Sequence, residues 1–256
     1  MLPGTLVYVN AGSQLSELSS LSGILSPSLL FSFVLLGVFP LLAKKSLGWL
    51  AARKKNSQWS RPQKFDRNLI VIGGGAAGLV SAYIAAAVKA KVTLVEAHKM
   101  GGDCLNYGCV PSKALIKTAK LAAQQRHGER YGLGATQPHI DFRRIMARVN
   151  DIIAKIEPHD SVARYTELGV EVLQGYARLI DPWTVEIALN DGGVQRLTSR
   201  AIVIAAGAEP VVPPLPGLDA GGYVTSDTLW ESLAESEKPP ARLLVLGGGP
   251  IGCELS

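Results

Sequence analysis

The sequence is poor in residues that bind metal ions. Its 256 residues include three cysteines and four histidines. Cys104 and Cys109 are near each other, but Cys253 is far from both, and no histidine follows at zinc-finger spacing. A structural zinc site needs further ligand pairs close to the first. We therefore expect no metal site.

Basic residues are missing from the beginning of the chain. The first 43 residues contain neither lysine nor arginine, and residues 18–43 contain no charged side chain. Within them Ile24–Ala43 is mostly apolar, and roughly 20 such residues can cross a bilayer as a helix. A secretory signal peptide begins with basic residues, which are absent here. We expect a transmembrane helix at about residues 24–43. The alternatives are a buried core helix, or a broken or re-entrant helix interrupted at Pro27, Gly37 and Pro40.

The net charge of +5 is concentrated in one short part of the chain. Residues 1–67 have eight basic side chains, all between Lys44 and Arg67, and two acidic ones, whereas the remaining residues have 18 basic and 19 acidic side chains. A basic block beside an apolar run is typical of the cytoplasmic flank of a membrane span rather than of a nucleic-acid-binding surface. We therefore expect no nucleic-acid partner, attachment to a membrane, and a cytoplasmic location for everything after Lys44.

The pattern of apolar runs and glycines predicts an α/β fold. At 47% hydrophobic residues the chain can bury a core, which excludes a disordered or fibrous protein. From residue 68 onward, strand, glycine cluster, Ala-rich helix and strand form one βαβ unit, and two helices and a β meander follow. This order is typical of a doubly wound, Rossmann-like domain. The later elements are predicted as helices at Val110–Gln125 and Phe142–Ile156, strands at Val170–Leu173, Tyr176–Ile180, Thr184–Ala188 and Ala201–Ala205, an extended connector at Pro210–Pro216, and a new strand at Leu243–Leu246.

Gly73, Gly75 and Gly78 have the spacing of a dinucleotide-binding turn. The first glycine permits a tight turn from strand to helix, the second lets the backbone approach a pyrophosphate, and the third allows close packing of helix on strand. Phosphates of a ligand then face the free N–H groups at the start of the helix. Glu96 ends the next strand, where a carboxylate can bond ribose hydroxyls. We expect a dinucleotide site here, and a glycine-rich turn without a ligand is the alternative.

Cys104 and Cys109 lie at the start of a predicted helix with four residues between them. Two thiols at this spacing can close a small disulfide ring. A helix N-terminus lowers the pKa of a thiol, which is what a redox-active thiol needs. A purely structural disulfide is disfavoured on the cytoplasmic side, where thiols are kept reduced. We expect a redox-active disulfide.

Gly247, Gly249 and Gly252 repeat the dinucleotide spacing after the predicted strand at Leu243–Leu246. The similarity of residues 69–80 and 243–254 is an internal repeat, and it predicts a second nucleotide-binding domain of which only the start is present. Cys253 lies at the start of the second helix, where we expect a small packing residue.

The segments GGGAAG, GGDCLNYGCVPSK, IVIAAGAEP and LGGGPIGCE resemble the pyridine-nucleotide-disulfide oxidoreductases with a CxxxxC active site. This family includes dihydrolipoamide dehydrogenase, glutathione reductase and mercuric reductase. The resemblance runs from about Asn68 to Ser256, and the segments PSKAL and IEPHDS are similar to the lipoamide dehydrogenase and mercuric reductase branch. The apolar run and basic linker before it resemble bacterial fusions of such a reductase to a DedA-like membrane domain.

The resemblance implies an enzyme that uses FAD and NAD or NADP. Electrons would pass from NAD(P)H through FAD to a Cys104–Cys109 disulfide, and from there to a small-molecule disulfide, dithiol or metal-ion substrate. Cys109 would be the thiolate beside the flavin ring, Cys104 would exchange with the substrate, and Lys113 would stabilise negative charge at the ring. The implied FAD contacts are Gly73, Gly75, Gly78, Glu96, Gly101, Gly102, Lys113, Ala177, Ala206 and Gly207, and the implied NAD(P) contacts are Gly247, Gly249 and Gly252.

Two residues depart from the pattern of many relatives. Asp103 stands where many have threonine, and its charge would repel phosphates unless it bonds backbone N–H groups. Ala206 stands where many have threonine and lacks a hydroxyl contact to the flavin nucleotide. Both departures imply a weaker FAD site.

We expect three parts in the chain: a membrane segment and basic linker at residues 1–60, an FAD-binding domain with the redox disulfide at 61–240, and the start of an NAD(P)-binding domain at 241–256. In the family, later segments complete the flavin site and form a dimer in which the partner supplies a catalytic histidine. The resemblance therefore implies a homodimer for the full-length form. The alternative is a truncated, inactive, membrane-attached nucleotide-binding fragment. A monooxygenase-like flavoprotein is disfavoured because it has no use for the cysteine pair. The histidines that do not match the catalytic position are His98, His127, His139 and His159.

Overall fold

The computed structural model describes residues 2–16, 27–56 and 58–256. The chain divides into two compact units, Met1–Arg61 and Pro62–Ser256. In the first unit, helix α1 (Leu2–Ser16) contacts helix α2 (Pro27–Asn56), which contains Pro40.

The predicted membrane span begins outside the described residues, at 24–26, and continues into α2. No helix in the described part of the chain is long and apolar enough to cross a membrane. The prediction of a transmembrane helix is therefore not supported.

The second unit is organised around five strands. Strand β1 pairs in parallel with β2 and β5, and β2 pairs in parallel with β3. Strand β4 pairs antiparallel with β3 and with β5, so the order β1-β2-β3-β4-β5 closes into a barrel. The strands are β1 (Arg67–Ile72), β2 (Val92–Glu96), β3 (Val170–Leu179), β4 (Thr184–Leu189) and β5 (Val194–Ile204).

Strands β3 and β5 each belong to both the parallel and the antiparallel part of the barrel. Residues 170–174 of β3 pair with β2, and residues 175–179 pair with β4. The two strands predicted at 170–173 and 176–180 are therefore one strand. It continues through Gly175, where the backbone lies so close to Ala188 of β4 that a Cβ would collide with the Ala188 carbonyl oxygen.

Helices connect the strands and follow them. Helix α3 lies between β1 and β2, four α-helices and two short 3-10 helices lie between β2 and β3, and three short α-helices follow β5. The predicted helix at Phe142–Ile156 is confirmed, and the side chain of Asp141 caps it by accepting the Arg144 N–H at 3.1 Å. The helices are α3 (Ala76–Ala87), α4 (Gly102–Asn106), α5 (Cys109–Arg126), α6 (Phe142–Ile156), α7 (Val162–Glu167), α8 (Leu218–Gly221), α9 (Ser226–Ala234) and α10 (Pro250–Leu255).

The strand predicted at Leu243–Leu246 is not present. This segment has no strand conformation, and none of the five described strands pairs with it. A β-strand is defined by hydrogen bonds to a neighbouring strand, so an apolar run without a partner does not form one.

Three buried clusters hold the second unit together. Alternate residues of β1 point to opposite sides of the strand. Val71 therefore packs with Leu79 of α3, while Ile70 packs with Val95 and with buried residues of β4 and β5. The third cluster, here called the helical core cluster, joins α5, α6 and α9 and positions α5. Its buried members are Ala114, Phe142, Met146, Val149 and Trp230.

Candidate functional site

The first glycine turn lies between β1 and α3. Gly73 has φ +107°, in the region that favours glycine. A Cβ at Gly78 would collide with the carbonyl oxygen of Gly73 and would lie 3.3 Å from Cγ1 of Val71. A Cβ at Gly73 would lie 3.1 Å from Cα of Ala206, just beyond β5. The turn therefore has no space for a side chain at either glycine.

A second glycine segment approaches this turn from the other side. The Gly101 N–H donates to the Gly74 carbonyl oxygen at 2.9 Å, and a Cβ at Gly102 would lie 2.6 Å from Cα of Gly75. We call the two glycine segments, residues 73–75 and 101–102, the glycine cradle. Gly75 is the N-cap of α3, so the cradle lies where the first N–H groups of a 12-residue helix are free. Such a place is suited to phosphate groups.

Glu96 lies at the C-terminal end of β2 and faces the cradle. Its Oε2 accepts the Gly74 N–H, and its Oε1 accepts the His98 N–H at 2.7 Å. A carboxylate has about four acceptor positions, so two remain available for hydroxyl groups of a ligand.

Asp103 brings a negative charge to this site. Its Oδ2 lies 3.7 Å from the position that a Cβ would take at Gly207, which has φ +73°. Burial and the nearby charges of Asp227 and Glu96 raise the pKa of the Asp103 carboxyl. Among the described residues no backbone N–H is found to donate to this carboxylate, so the condition under which its repulsion of phosphates would be offset is not met.

The two cysteines lie on consecutive helices. Cys104 is on α4 and half-buried, Cys109 is the first residue of α5 and exposed, and both are free thiols. A hydrogen bond to Cys109, together with burial and the charge of Cys109, raises the pKa of the Cys104 thiol, against the opposing effects of the Cys109 N–H and the Lys113 charge. The prediction that a helix N-terminus lowers the thiol pKa is therefore wrong for Cys104. Cys104 lies in the first turn of the short helix α4, but the hydrogen bond to Cys109 and burial have the larger effect.

Hydrogen bonds from several directions fix residues 104–109, which we call the cysteine loop. The Asn106 side chain donates to the carbonyl oxygens of Met100 at 3.1 Å and of Gly102 at 2.9 Å. The Trp230 Nε1–H donates to the Tyr107 carbonyl oxygen at 2.6 Å. The cysteine loop is thus bonded to the cradle on one side and to the helical core cluster on the other.

Lys113, four residues after Cys109, is paired with an acidic residue. Its Nζ lies 3.1 Å from Oε1 of Glu254, and the Ser112 hydroxyl donates to Oε2 of the same carboxylate at 2.9 Å. Hydrogen bonding to Glu254 raises the pKa of Lys113, and the nearby cysteines act in the same direction.

The second glycine turn repeats the geometry of the first. Gly247 has φ +125°, and a Cβ at Gly252 would collide with the Gly247 carbonyl oxygen and lie 3.4 Å from Cγ1 of Val245. Gly249 is the N-cap of α10, as Gly75 is of α3.

Two of the proposed contact residues lie in the barrel strands or directly after them. Ala177 is in the antiparallel part of β3, opposite Ile187. Ala206 follows Ala205, whose N–H donates to the Ile72 carbonyl oxygen at 2.7 Å.

Sequence reasoning missed Glu254 and Trp230. Glu254 could have been noticed as the acidic residue that follows Cys253 in the second glycine motif. The sequence around Trp230 contains no comparable signal, because its partner lies 123 positions earlier.

Comparison with known proteins gives matches to the second unit. A family model described as pyridine nucleotide-disulphide oxidoreductase matches residues 67–256. The chain is 34% identical to a mercuric reductase of Bacillus cereus over 191 residues, covering 75% of this chain and 29% of that protein. It is 40% identical to a dihydrolipoyl dehydrogenase of Pseudomonas aeruginosa over 196 residues, covering 75% of this chain and 41% of that protein.

A solved structure matches as well. It is a Cu(II) complex of a mutant of the HOCl-induced flavoprotein disulfide reductase RclA from Escherichia coli, with a TM-score of 0.61 and 26% identity, covering 75% of this chain and 39% of that chain. The chain spans less than half the length of these three proteins. Since the family model covers most of the chain, the protein belongs to the pyridine nucleotide-disulphide oxidoreductase family.

Proposed function

We propose that this chain forms the flavin- and disulfide-bearing part of an FAD-dependent NAD(P)H oxidoreductase that acts on a disulfide, a dithiol or a metal ion. The observation that supports this most strongly is the contact between the two cysteines beside the glycine cradle. The Cys104 thiol is hydrogen-bonded to Cys109, and the cysteine loop follows directly on Gly101 and Gly102 of the cradle.

The glycine cradle fits the diphosphate of a dinucleotide such as FAD. Gly75 and Gly102 approach each other without side chains, and the start of α3 supplies free N–H groups. Glu96 would hold ribose hydroxyls through its remaining acceptor positions. When bound, FAD would supply the two-electron carrier between nicotinamide and disulfide.

The two cysteines are suited to different roles. The hydrogen bond to Cys109, together with burial, raises the pKa of the Cys104 thiol, so its protonated form is favoured. This supports Cys109 as the thiolate beside the flavin and Cys104 as the thiol that exchanges with substrate. The positive charge of Lys113 acts on both sulfurs.

The second glycine turn supports a nicotinamide-nucleotide site at Gly247, Gly249 and Gly252. Its backbone repeats the first turn in the positive φ of its first glycine and in the close contact between its first and last glycine. The substrate class follows from the relatives, which are named as reductases of mercuric ion and dehydrogenases of the dihydrolipoyl group.

The disulfide is tested by counting thiols in the full chain. After mild oxidation, unfolding and alkylation, two fewer cysteines should be labelled than after reduction, and a peptide linked through Cys104 and Cys109 should appear by mass spectrometry. Replacing Cys253 by serine should leave the difference at two, whereas Cys104→Ser should abolish it. Equal labelling of oxidised and reduced wild-type chain would contradict the proposal.

Flavin binding is tested separately by adding FAD to the chain and measuring protein-bound flavin absorbance after gel filtration. Turnover of NAD(P)H above the free-flavin background distinguishes an active enzyme from the alternative of an inactive nucleotide-binding fragment.

The location of the protein and its assembly stay predictions. The cytoplasmic location rests on the basic block after Ala43, and the homodimer rests on the resemblance to the family. Carbonate extraction of membranes tests the attachment, and sedimentation of the full-length form tests the dimer.

A further inference from the structure

Trp230 reaches the cysteine loop from outside it. Its side chain is 5% exposed and packs within the helical core cluster, while its Nε1–H donates to the Tyr107 carbonyl oxygen. Tyr107 is the C-cap of α4, and the next residue, Gly108, is the N-cap of α5. The bond therefore holds the two-residue joint between the helix that contains Cys104 and the helix that begins at Cys109.

Two backbone bonds of this joint belong to the two helix ends. The Tyr107 N–H donates to the Asp103 carbonyl oxygen at 2.8 Å, and the Ser112 N–H donates to the Gly108 carbonyl oxygen at 3.0 Å. Each of these two bonds closes a turn within its own helix and does not cross the joint. The hydrogen bonding between Cys104 and Cys109 does cross it, but it joins the two groups whose separation is in question. Gly108, with φ −121° and ψ −105°, is not helical, and a Cβ there would lie 3.1 Å from the Asp103 carbonyl oxygen.

A tryptophan in the core is well suited to fix such a joint. Its ring is rigid, with only two side-chain torsions, and both are restrained by the surrounding packing. A buried indole N–H also needs an acceptor, so the simpler explanation is that the bond only satisfies the indole. Removing the N–H while keeping an aromatic ring in the core separates these two roles.

We propose that Trp230 is a positioning residue that sets the separation of the two cysteine sulfurs through the Tyr107 carbonyl group. It thereby favours the intramolecular disulfide, since holding two reacting groups in place raises their effective concentration. This inference rests on the proposed redox role of Cys104 and Cys109.

The reaction with glutathione disulfide measures this effect. The two thiols give up two protons and two electrons, an S–S bond forms between Cys104 and Cys109, and the S–S bond of glutathione disulfide breaks to give two molecules of glutathione. The equilibrium constant of this exchange in the full chain reports how well the two sulfurs are held together.

The informative variant is Trp230→Phe, which keeps an aromatic ring in the core and removes the N–H donor. We expect its equilibrium constant to be lower by about threefold to tenfold, the size of one net hydrogen bond. Phe142→Leu perturbs the same cluster without touching the joint, and should lower the melting temperature while leaving the constant unchanged. Trp183→Phe removes an indole from the loop before β4 and should change neither quantity.

A second replacement keeps the test decisive if Trp230→Phe does not fold. Incorporation of β-(3-benzothienyl)alanine at position 230 preserves the shape of the indole and replaces only its N–H by sulfur. A constant within about twofold of wild type in the folded variant would overturn the positioning role, since a lost hydrogen bond of usual strength exceeds that change.

If the wild-type chain forms no intramolecular disulfide, the proposed redox function is overturned and this inference with it. A wild-type disulfide that does not respond to position 230 overturns the inference alone.

Discussion

Lys113 on α5 and Glu254 on α10 form an ion pair, with Nζ 3.1 Å from Oε1. Both side chains are partly exposed, so a pair of this kind contributes little to the free energy of folding. Its consequence is electrostatic. Lys113 lies on α5, the helix that begins at Cys109, and its positive charge is partly neutralised by Glu254 in the segment of the second glycine turn.

Replacing Glu254 by glutamine should change the reactivity of Cys104. The Lys113 charge lowers the pKa of Cys104 in part, against the larger effect of the hydrogen bond to Cys109, and Glu254 neutralises that charge. Without the carboxylate, the pKa of Cys104 should fall, and its alkylation by iodoacetamide should begin at lower pH. The measurement is the pH profile of labelling at Cys104, followed by peptide mass spectrometry.

Two comparisons make that result specific. Lys113→Met should shift the profile in the opposite direction, to higher pH. Glu231→Gln, on the exposed side of α9, should leave the profile unchanged. Shifts of the same sign for Glu254→Gln and Lys113→Met would show that the ion pair does not act on the thiol.

Gly78→Ala should separate α3 from the first glycine turn. The added methyl group meets the Gly73 carbonyl oxygen, which is backbone and can move only with the turn. Overpacking of this kind typically costs about 1–3 kcal/mol, so the midpoint of urea unfolding should fall. Retention of FAD after gel filtration should fall with it. Gly134→Ala is the control, because nothing lies within 4 Å of a Cβ there, and wild-type behaviour of Gly78→Ala would contradict the tight turn.

Asp103→Asn should stabilise the fold at neutral pH. The pKa of Asp103 is raised by burial and by Asp227 and Glu96, so the charged form is disfavoured in the folded state. The gain at pH 7 should not exceed about 1 kcal/mol, since solvent screens the charges. It should shrink as the pH falls from the raised pKa of the folded state and vanish below the ordinary pKa of the unfolded state.

The same substitution should strengthen flavin binding, because it removes a negative charge beside the cradle. Isothermal titration with FAD at pH 7 measures the effect. Asp151→Asn on α6 is the control and should leave affinity and stability unchanged. Weaker FAD binding by Asp103→Asn would show that the carboxylate contributes a favourable contact instead.

Thr93→Val should destabilise the parallel part of the barrel. The fully buried Thr93 hydroxyl donates to Glu171 and accepts from Arg67 at 2.6 Å, so one hydroxyl connects three adjacent strands. Its loss should cost about 1–3 kcal/mol in urea unfolding at pH 7, because the remaining groups lose a buried partner. Thr166→Val on the exposed side of α7 should cost much less.

This network also predicts a dependence on pH. Burial raises the pKa of Glu171, but the hydrogen bonds from Thr93 and Arg67 outweigh it, and the net pKa is lowered. A lowered pKa means that the carboxylate stabilises the fold above its ordinary pKa, and that this contribution is lost as the pH falls through the lowered value. Glu171→Gln should therefore be less stable than wild type at pH 7, and the difference should close in acid.

The parts of the molecule that sequence predicts well depend on local geometry. The spacing of apolar residues and the cap at Asp141 are both local, and α6 has the predicted bounds. The glycine turns and the cysteine spacing are likewise properties of short segments, so their positions followed from the sequence alone.

The parts that sequence could not predict depend on distant partners. Leu243–Leu246 has the composition of a strand but no strand beside it, and the two strands predicted at Val170–Leu173 and Tyr176–Ile180 are one continuous strand. The contacts of Trp230 and Glu254 join residues more than 120 positions apart. No pattern within a short window contains such a pairing.

Because β3 and β5 are shared between both parts of the barrel, the antiparallel part around β4 is not an independent structural unit. The same two backbones that pair with β4 continue beside β1 and β2, whose ends form the glycine turn and present Glu96. Opening β4 would leave both shared strands with a free edge over half their length and would strain the first glycine turn. Amide protons of β4 and β1 should therefore exchange with solvent through one common opening event. Loops grafted between β3 and β5 would then be limited by what the first glycine turn tolerates, even though they lie in another part of the sheet.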